Sequence, residues 1–227
     1  MRRISFAPGE FYHIYNRGTE KRNIFLNKND YRRFLLLLYY CNSGQKVVLR
    51  LENKNFDPDP QRETIVEICA YCLMPNHFHL LIHEKIEGGI SRFMQKLSTG
   101  YTMYFNERHE RDGVLFQGKF KSSYVNEDEY LKYLFSYIHL NPVKSVDPHW
   151  KENGISNSDQ AKKYLDHYAY SSYPDYLGVN RKEGGIITKN VMPNYFLSVA
   201  DYKRTINDWL SLRDEQAKVK IRGRTLY

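Results

Sequence analysis

Up to about residue 146, segments with apolar residues at every second position are followed by segments with apolar residues three and four apart. Alternation with a period of two is typical of strands that bury one face, and apolar residues three and four apart are typical of amphipathic helices. The pattern predicts strand, helix, strand, strand, helix, strand and helix at residues 10–15, 29–40, 64–71, 77–83, 90–108, 116–125 and 126–141. This order predicts an α+β fold, a ferredoxin-like split βαβ with an antiparallel central sheet and one added helix.

The remaining segments differ in composition and in predicted structure. Residues 47–51 predict a short extra strand, and residues 52–62 a loop insertion with two Asp-Pro pairs. After Ser145 the chain becomes polar, turn-rich and aromatic, and then predicts an amphipathic helix over 200–212 and a basic tail. We therefore divide the chain into a domain of residues 1–146 and a helical C-terminal extension of residues 147–227.

A histidine pair lies inside an apolar run. On a strand, His77 and His79 project from the same face. Phe78, Leu80 and Ile82 project from the other. Two imidazoles on one face can converge on a metal ion, whereas an ordinary sheet pair would be hydrogen-bonded to its neighbours. A third ligand and a nucleophile elsewhere in the chain would favour the metal site.

The third helix has clear start and stop signals. Asn126 is expected as its N-cap, with Glu129 at the capping-box position, and Pro142 is expected to stop it. At about 100° per residue, four apolar side chains fall within a stripe of roughly 100° and predict the buried face. They are Leu131, Leu134, Phe135 and Ile138.

Two polar side chains lie on one flank of that stripe. Tyr137 and Asn141 are four residues apart, so they are neighbours on the helix surface. A tyrosine beside an amide at a helix end is a candidate for chemistry, although most tyrosines only pack. Tyr130 shares the flank and Tyr133 lies further round on the exposed side, so both remain competitors.

The composition favours a polyanionic partner. The chain of 227 residues has 34 Lys and Arg against 26 Asp and Glu, and its 20 Tyr and 12 Phe are mixed among the basic residues. Such a surface suits a nucleic acid with unpaired bases, but it also suits a soluble protein of high pI. No apolar run is long enough to span a bilayer, which predicts a cytoplasmic protein without a membrane partner.

The cysteines do not predict a disulfide framework. There are three, Cys41, Cys69 and Cys72. Cys69 and Cys72 have the spacing of a metal or redox motif, but positions three apart on a regular strand face opposite ways. We therefore expect no function for this pair.

Four separated segments together resemble a known family. They are YHIYNRG (residues 12–18), MPNHFH (74–79), FQGKFK (116–121) and YIHLNPVK (137–144). The combination resembles the single-tyrosine transposases of the HUH endonuclease superfamily, in particular the REP-associated tyrosine transposase branch. The similarity runs from about residue 6 to residue 146 and assigns this part to a catalytic domain with the HUH endonuclease fold.

The resemblance implies roles for individual residues. It implies that His77 and His79 bind a divalent metal, that Asn141 completes the metal site and that Tyr137 is the nucleophile. The implied reaction cuts single-stranded DNA that bears a hairpin, through a 5′-phosphotyrosine intermediate, with Mg²⁺ or Mn²⁺ as cofactor. Monomer and homodimer both remain open. The candidates for contacts with the DNA backbone are Arg17, Lys119, Lys121 and Lys144.

Two other functions remain as alternatives. In a metal-dependent hydrolase, His77 and His79 would activate water and Tyr137 would be structural. In a nucleic-acid-binding protein of the same fold, no strand would be cut. The products and the presence of a covalent adduct distinguish the three functions.

Overall fold

The structure is a computed structural model that describes residues 5–45, 59, 61–193 and 198–211. The predicted extra strand at 47–51 and the basic tail lie outside the described residues, as does most of the predicted loop at 52–62. Within the described part of the chain, no helix combines the length and the apolar character that crossing a membrane requires.

The central sheet confirms the predicted fold. Four strands, β1 (Phe11–Arg17), β2 (Val66–Met74), β3 (His77–Glu84) and β4 (Lys121–Val125), pair in the order β2-β3-β1-β4. All three pairings are antiparallel. This order, with one helix after β1 and one after β3, is that of the split βαβ fold.

Seven α-helices accompany the sheet in the described residues. Two of them, α1 and α2, cover one face, and α3 lies on the other with the later helices around it. The bounds are α1 Lys28–Tyr40, α2 Gly89–Arg108, α3 Asp128–Leu140, α4 Trp150–Asn153, α5 Ser158–Asp166, α6 Tyr173–Tyr176 and α7 Val199–Ser211.

The helix starts differ from the predicted ones. A capping box between Asn27 and Asp30 starts α1, two residues before the expected Asn29. The N-cap of α3 is Glu127, and its side chain does not cap the helix. The expected capping box of Asn126 and Glu129 is therefore wrong, although the acidic first turn that favours a helix N-terminus is present in Asp128 and Glu129.

The fourth strand is shorter than predicted. It begins at Lys121, because Gly118 has a φ of 76° that interrupts extended backbone. Lys119 therefore lies before the strand and not on the same strand face as Lys121. The first strand, by contrast, extends two residues beyond its predicted end at Tyr15, to Arg17.

The thiols of β2 are oriented differently from the expectation. A register shift between Ile68 and Ala70 places a bulge at Cys69. The bulge shifts the alternation, so Cys69 and Cys72 both belong to the buried cluster on the α3 side of the sheet. The prediction that they face opposite ways is wrong. Both are buried free thiols, and desolvation raises the pKa of each well above its usual range.

The C-terminal extension is packed onto this framework. Ala161, Leu165, Tyr202 and Ile206 join the apolar cluster that covers α3. The edge of β2 is also covered, because Ser172 N donates to Tyr71 O at 3.0 Å and Leu73 N to Tyr170 O at 2.9 Å. Residues 147–211 thus contribute to the second core of the molecule where they are described. The boundary at residue 146 stays a prediction.

Candidate active site

Three segments of the sequence meet at one end of the sheet. Gly18 N donates to Asn76 O at 2.9 Å, and Gln117 N donates to Arg17 O at 2.8 Å. The side chain of Asn16 also donates to Gly118 O at 3.1 Å. Gly18 is required here, since a Cβ at this position would lie 2.3 Å from the carbonyl oxygen of Arg22. These contacts bring the end of β1 together with the start of β3 and the start of β4.

The predicted histidine pair lies on the α3 face of the sheet. His77 and His79 have ring centroids 5.0 Å apart with planes at 86°. Phe78, Leu80 and Ile82 pack into the opposite core, as predicted. The pair is therefore positioned to converge on one point of the α3 face.

A third histidine supports the pair. His13 of β1 and His79 are joined by a hydrogen bond of 2.9 Å between His13 Nε2 and His79 Nδ1. His77 Nδ1 bonds the side-chain oxygen of Asn76 at 2.6 Å. Sequence reasoning gave His13 no role. The alternation of β1 could have indicated it. His13 and Tyr15 are two residues apart and share a face of the strand, and Tyr15 lies opposite His79 in the sheet.

The three imidazoles are neutral at neutral pH. Burial lowers the pKa of His77 to about 3, with the positive charges of Arg17, Lys151 and Lys144 acting in the same direction. Burial also lowers the pKa of His13 to about 3. Burial and the neighbouring imidazoles hold the pKa of His79 well below its usual range. Neutral imidazole is the form that binds a metal ion.

The donor atoms fit a divalent metal. Nε2 of His79 is buried and has no hydrogen-bond partner in the described part of the chain. A cavity of about 40 Å³ lies beside it, enough for one ion. Its lining residues are Tyr15, Asn16, Arg17, His77, Phe78, His79, Gln117 and Lys121. No group of three or more His, Cys, Asp or Glu among the described residues has the arrangement of a metal site, and Asn141 does not line this cavity.

Tyr137 lies against the histidine pair in the same chain. Its ring meets the ring of His79 edge to face, with centroids 5.6 Å apart and planes at 80°. Asn141, one turn later, donates from its side-chain nitrogen to Tyr137 O at 3.1 Å. Helix α3 ends at Leu140, and Pro142 then lies in a 3₁₀ turn at Asn141–Ser145. The structure therefore brings Tyr137 against His79 and Asn141 against Tyr137.

The flank of α3 that carries Tyr137 is covered and not exposed to solvent. The side chain is 3% exposed because the C-terminal extension covers α3. Lys151 of α4 donates to the phenol oxygen at 2.6 Å, and its Nζ lies 4.4 Å from the ring centroid. Burial raises the pKa of Tyr137 to about 12, while a hydrogen bond from the Asn141 side chain opposes this. No sequence signal pointed to Lys151, which lies in a polar segment.

The competing tyrosines are further from the histidines. The rings of Tyr133 and Tyr137 are stacked with centroids 6.0 Å apart, and Tyr130 is stacked on Tyr133 at 6.4 Å. Tyr133 also contacts Trp209 at 5.4 Å and is half-buried. Its expected exposure is therefore wrong, because α7 covers that side of α3.

The basic candidates fall into two groups. Arg17 and Lys121 line the histidine cavity, and Arg17 lies opposite His77 in the sheet. Lys144 is exposed and close enough for its charge to lower the pKa of His77. Lys119 lines a different cavity, beside α2. The structure thus places Arg17, Lys121 and Lys144 near the histidine pair and Lys119 away from it.

Comparison with known proteins gives one family match. Residues 40–141 match the model of the family described as "Transposase IS200 like". This segment includes His77, His79, Tyr137 and Asn141, whereas β1 and Lys151 lie outside it. No curated protein matches the chain.

Two solved structures are similar in outline. One is the REP-associated tyrosine transposase bound to a REP hairpin, with 14% identity, a TM-score of 0.48, and coverage of 81% of this chain and 88% of that chain. Another is a bacterial tRNA(HIS) guanylyltransferase-like protein in complex with ATP, with 10% identity, a TM-score of 0.40, and coverage of 74% and 71% respectively.

Proposed function

We propose that this chain is a metal-dependent DNA endonuclease and strand transferase, because its residues 40–141 match the model of the IS200-like transposase family. It cuts and rejoins single-stranded DNA through a 5′-phosphotyrosine intermediate. Tyr137 is the nucleophile, and His77, His79 and Asn141 hold the metal.

One observation carries this proposal. The ring of Tyr137 lies edge to face on His79 at 5.6 Å within a single chain. A tyrosine from α3 and an imidazole from β3 are thus neighbours without a second copy. Both side chains are buried, and buried polar groups of this kind are concentrated at sites of chemistry.

The proposed metal site has neutral donors. His77 and His79 would supply nitrogens, and Asn141 would supply an amide oxygen. When bound, a divalent ion provides positive charge to neutralise the reacting phosphate. Neutral ligands leave the full charge of the ion available for that purpose. Mixed nitrogen and oxygen ligation suits Mn²⁺, while Mg²⁺ prefers oxygen ligands, so both ions belong in the test.

The chain's own groups account for the bond changes. The oxygen of Tyr137 attacks the phosphorus, a bond from that oxygen to phosphorus forms, and the bond from phosphorus to the 3′ oxygen breaks. The products are a 5′-phosphotyrosine and a free 3′-hydroxyl. Since the phosphodiester is retained in the protein link, the hydroxyl of another strand reverses the reaction without ATP.

Access to Tyr137 requires a movement. The tyrosine does not line the histidine cavity, and its side chain is 3% exposed. A DNA phosphate therefore reaches the phenol oxygen only when the tyrosine or the residues that cover it are displaced. Lys151 of the short helix α4 already contacts the phenol oxygen, so the phosphate has to approach that oxygen from the side of the histidine cavity.

We propose hairpin-bearing single-stranded DNA as the substrate, following the resemblance of the four sequence segments. Arg17 and Lys121 at the cavity, with Lys144 nearby, provide positive charge for the backbone. Lys119 lies apart from them and would contact DNA only if the strand extends toward α2.

The test is formation of a covalent adduct. Wild-type protein mixed with a hairpin-bearing single strand and Mn²⁺ or Mg²⁺ should give an SDS-resistant adduct, and Tyr137→Phe should give none. Tyr130→Phe and Tyr133→Phe are the matched controls and should keep the adduct. An inactive Tyr130→Phe or Tyr133→Phe beside an active Tyr137→Phe would transfer the nucleophile role to that tyrosine.

The alternatives give other products. A hydrolase that uses water would release 5′-phosphate ends without an adduct, and a binding protein would shift the DNA in a gel without breaking it. His77→Ala should lose metal-dependent cleavage and keep much of its DNA binding. Unchanged cleavage by this variant would exclude His77 as a ligand.

A further inference from the structure

We propose that Lys151 is the proton acceptor and donor for the phenol of Tyr137 during cleavage and rejoining. This inference rests on the proposed function, in which Tyr137 is the nucleophile. It assigns a catalytic role to a residue of the C-terminal extension, outside the segment that matches the family model.

The contact between the two side chains is direct. Lys151 Nζ is 2.6 Å from the phenol oxygen of Tyr137. The same nitrogen is 4.4 Å from the centroid of the tyrosine ring and 5.9 Å from that of Trp150. The amine is therefore held between two aromatic rings with one strong hydrogen bond, which is the reach that a general base requires.

The surroundings of Lys151 favour loss of the proton from its ammonium group. Burial lowers the pKa of Lys151 to about 8, and Glu152 opposes this shift weakly. The nearby imidazoles of His13, His77 and His79 are neutral and supply no negative charge to hold the ammonium. A lysine with a pKa close to neutral is partly unprotonated and can accept a proton.

Tyr137 requires such a partner. A tyrosine phenol has an ordinary pKa of about 10, so almost none of it is ionised at neutral pH. A buried phenol attacks phosphorus only if its proton leaves as the new bond forms. Lys151 is hydrogen-bonded to the oxygen that loses this proton.

The proton balance is complete in both directions. On cleavage, the Tyr137 oxygen bonds to phosphorus, its proton passes to the Lys151 amine, and the departing 3′ oxygen takes a proton from water. On rejoining, the 3′-hydroxyl of the incoming strand attacks phosphorus and loses its proton to water. The Lys151 ammonium then returns a proton to the departing phenol oxygen.

The first experiment measures single-turnover adduct formation at saturating DNA and metal. Lys151→Met should reduce the rate by about 100-fold or more while DNA affinity stays the same. Lys151→Arg keeps the positive charge but cannot accept a proton, so it should be equally slow. Lys162→Met, at an exposed position in the neighbouring helix α5, is the control and should match wild type.

The second experiment lowers the pKa of the nucleophile itself. Placing 3,5-difluorotyrosine at position 137 makes the phenol more acidic, so it should restore much of the lost rate in Lys151→Met and change wild type little. A residue that only supports the fold would show no such rescue. Thermal unfolding of each variant identifies loss of folded protein, and Lys151→Gln replaces Lys151→Met if the latter does not fold.

A third measurement does not depend on activity. With 3-fluorotyrosine at position 137, the ¹⁹F shift reports ionisation of the phenol. In the protein that retains the lysine, the ¹⁹F signal should also move near pH 8 as the neighbouring Lys151 amine loses its proton, and Lys151→Met should lack this step. The same titration curve in both proteins would overturn the proposed contact.

The outcomes separate the two proposals. If wild type forms the adduct and Lys151→Met forms it at the same rate, the role of Lys151 is overturned and the proposed function stands. If Lys151→Arg is as fast as wild type, Lys151 acts by charge alone and the proton-transfer role is overturned. If wild type forms no adduct with either metal, the proposed function fails, and the role of Lys151 fails with it.

Discussion

The two faces of the central sheet bury different kinds of side chain. The face toward α1 and α2 is filled by aromatic and aliphatic groups, among them Phe34, Phe78 and Phe93. The face toward α3 buries imidazoles next to apolar side chains, with His13 and His79 each about 1% exposed. Both faces are closed to solvent, and among the described residues the hydrogen-bonded imidazoles of His13 and His79 lie on the α3 face.

The buried imidazoles of the α3 face lower the stability of the folded protein. Burying an imidazole nitrogen without a partner costs free energy, and the α3 face contains such atoms on His13, His79 and His139. The α1 and α2 face buries two carboxylates. Asp30 accepts from the backbone N–H groups of Leu26 and Asn27, just before α1, and from the Tyr104 hydroxyl, and Glu84 accepts from Ile90 N at the start of α2 while its other oxygen has no partner in the described residues. The α3 face is therefore distinguished by its buried neutral imidazoles and not by unsatisfied polar atoms alone.

The largest effect should come from the scaffold face. Phe78 is fully buried, with its ring 5.0 Å from that of Phe34 and 5.9 Å from that of Phe116. Phe78→Ala should lower the free energy of unfolding by about 3–5 kcal/mol through the cavity it creates. Urea unfolding measures the loss. A loss below about 1 kcal/mol would show that this face is not tightly packed.

A pH change should act on the other face. The pKa of His13 and of His77 is lowered to about 3, and the pKa values of His79 and His139 are lowered as well. These histidines bind protons more readily when unfolded, so stability is present above the unfolded pKa of about 6.5 and decreases as pH falls below it. Each should cost roughly 1 kcal/mol or less between pH 7 and pH 6, and the four together a few kcal/mol.

Unfolding of metal-free protein at pH 7 and pH 6 measures this loss. Hydrogen exchange should show that the α3 side opens first, because the buried imidazoles lie there. The variant His79→Gln should remove part of the pH dependence. Stability that is equal at both pH values would contradict the buried, neutral state of the histidines.

The smallest effect concerns the DNA. Arg17→Gln and Lys121→Gln remove charges at the histidine cavity, and each should weaken binding of single-stranded DNA by about threefold to tenfold at moderate salt. Lys119→Gln removes the same charge on the other side of the sheet and is the matched control. Equal losses for all three variants would mean that DNA does not select the α3 face.

Much of the fold was predictable from local patterns. Period-two alternation located the core face of β3, and helical spacing located α1, α2 and α3 to within two residues at most ends. The errors occurred where one residue changes the backbone locally. A bulge at Cys69 reversed the expected facing of the cysteines, and Gly118 delayed the start of β4. Alternation alone does not reveal such interruptions.

The site was predictable only in part. His77, His79, Tyr137 and Asn141 lie in segments with recognisable spacing, and the structure brings Tyr137 to His79. The positions of His13 and Lys151 in the site were missed because their contacts depend on pairing between distant segments. Lys151 is 14 residues from Tyr137 in sequence, and only the fold of the extension brings α4 over α3.

The covering of β2 by residues 170–172 also limits how two copies could associate. Backbone groups at that border of the sheet are already bonded within the chain, so no foreign strand can be added there. In the described residues β4 is the other border. A continuous sheet shared by two molecules would therefore have to be joined through β4, which would place Lys121 of each copy close to the junction.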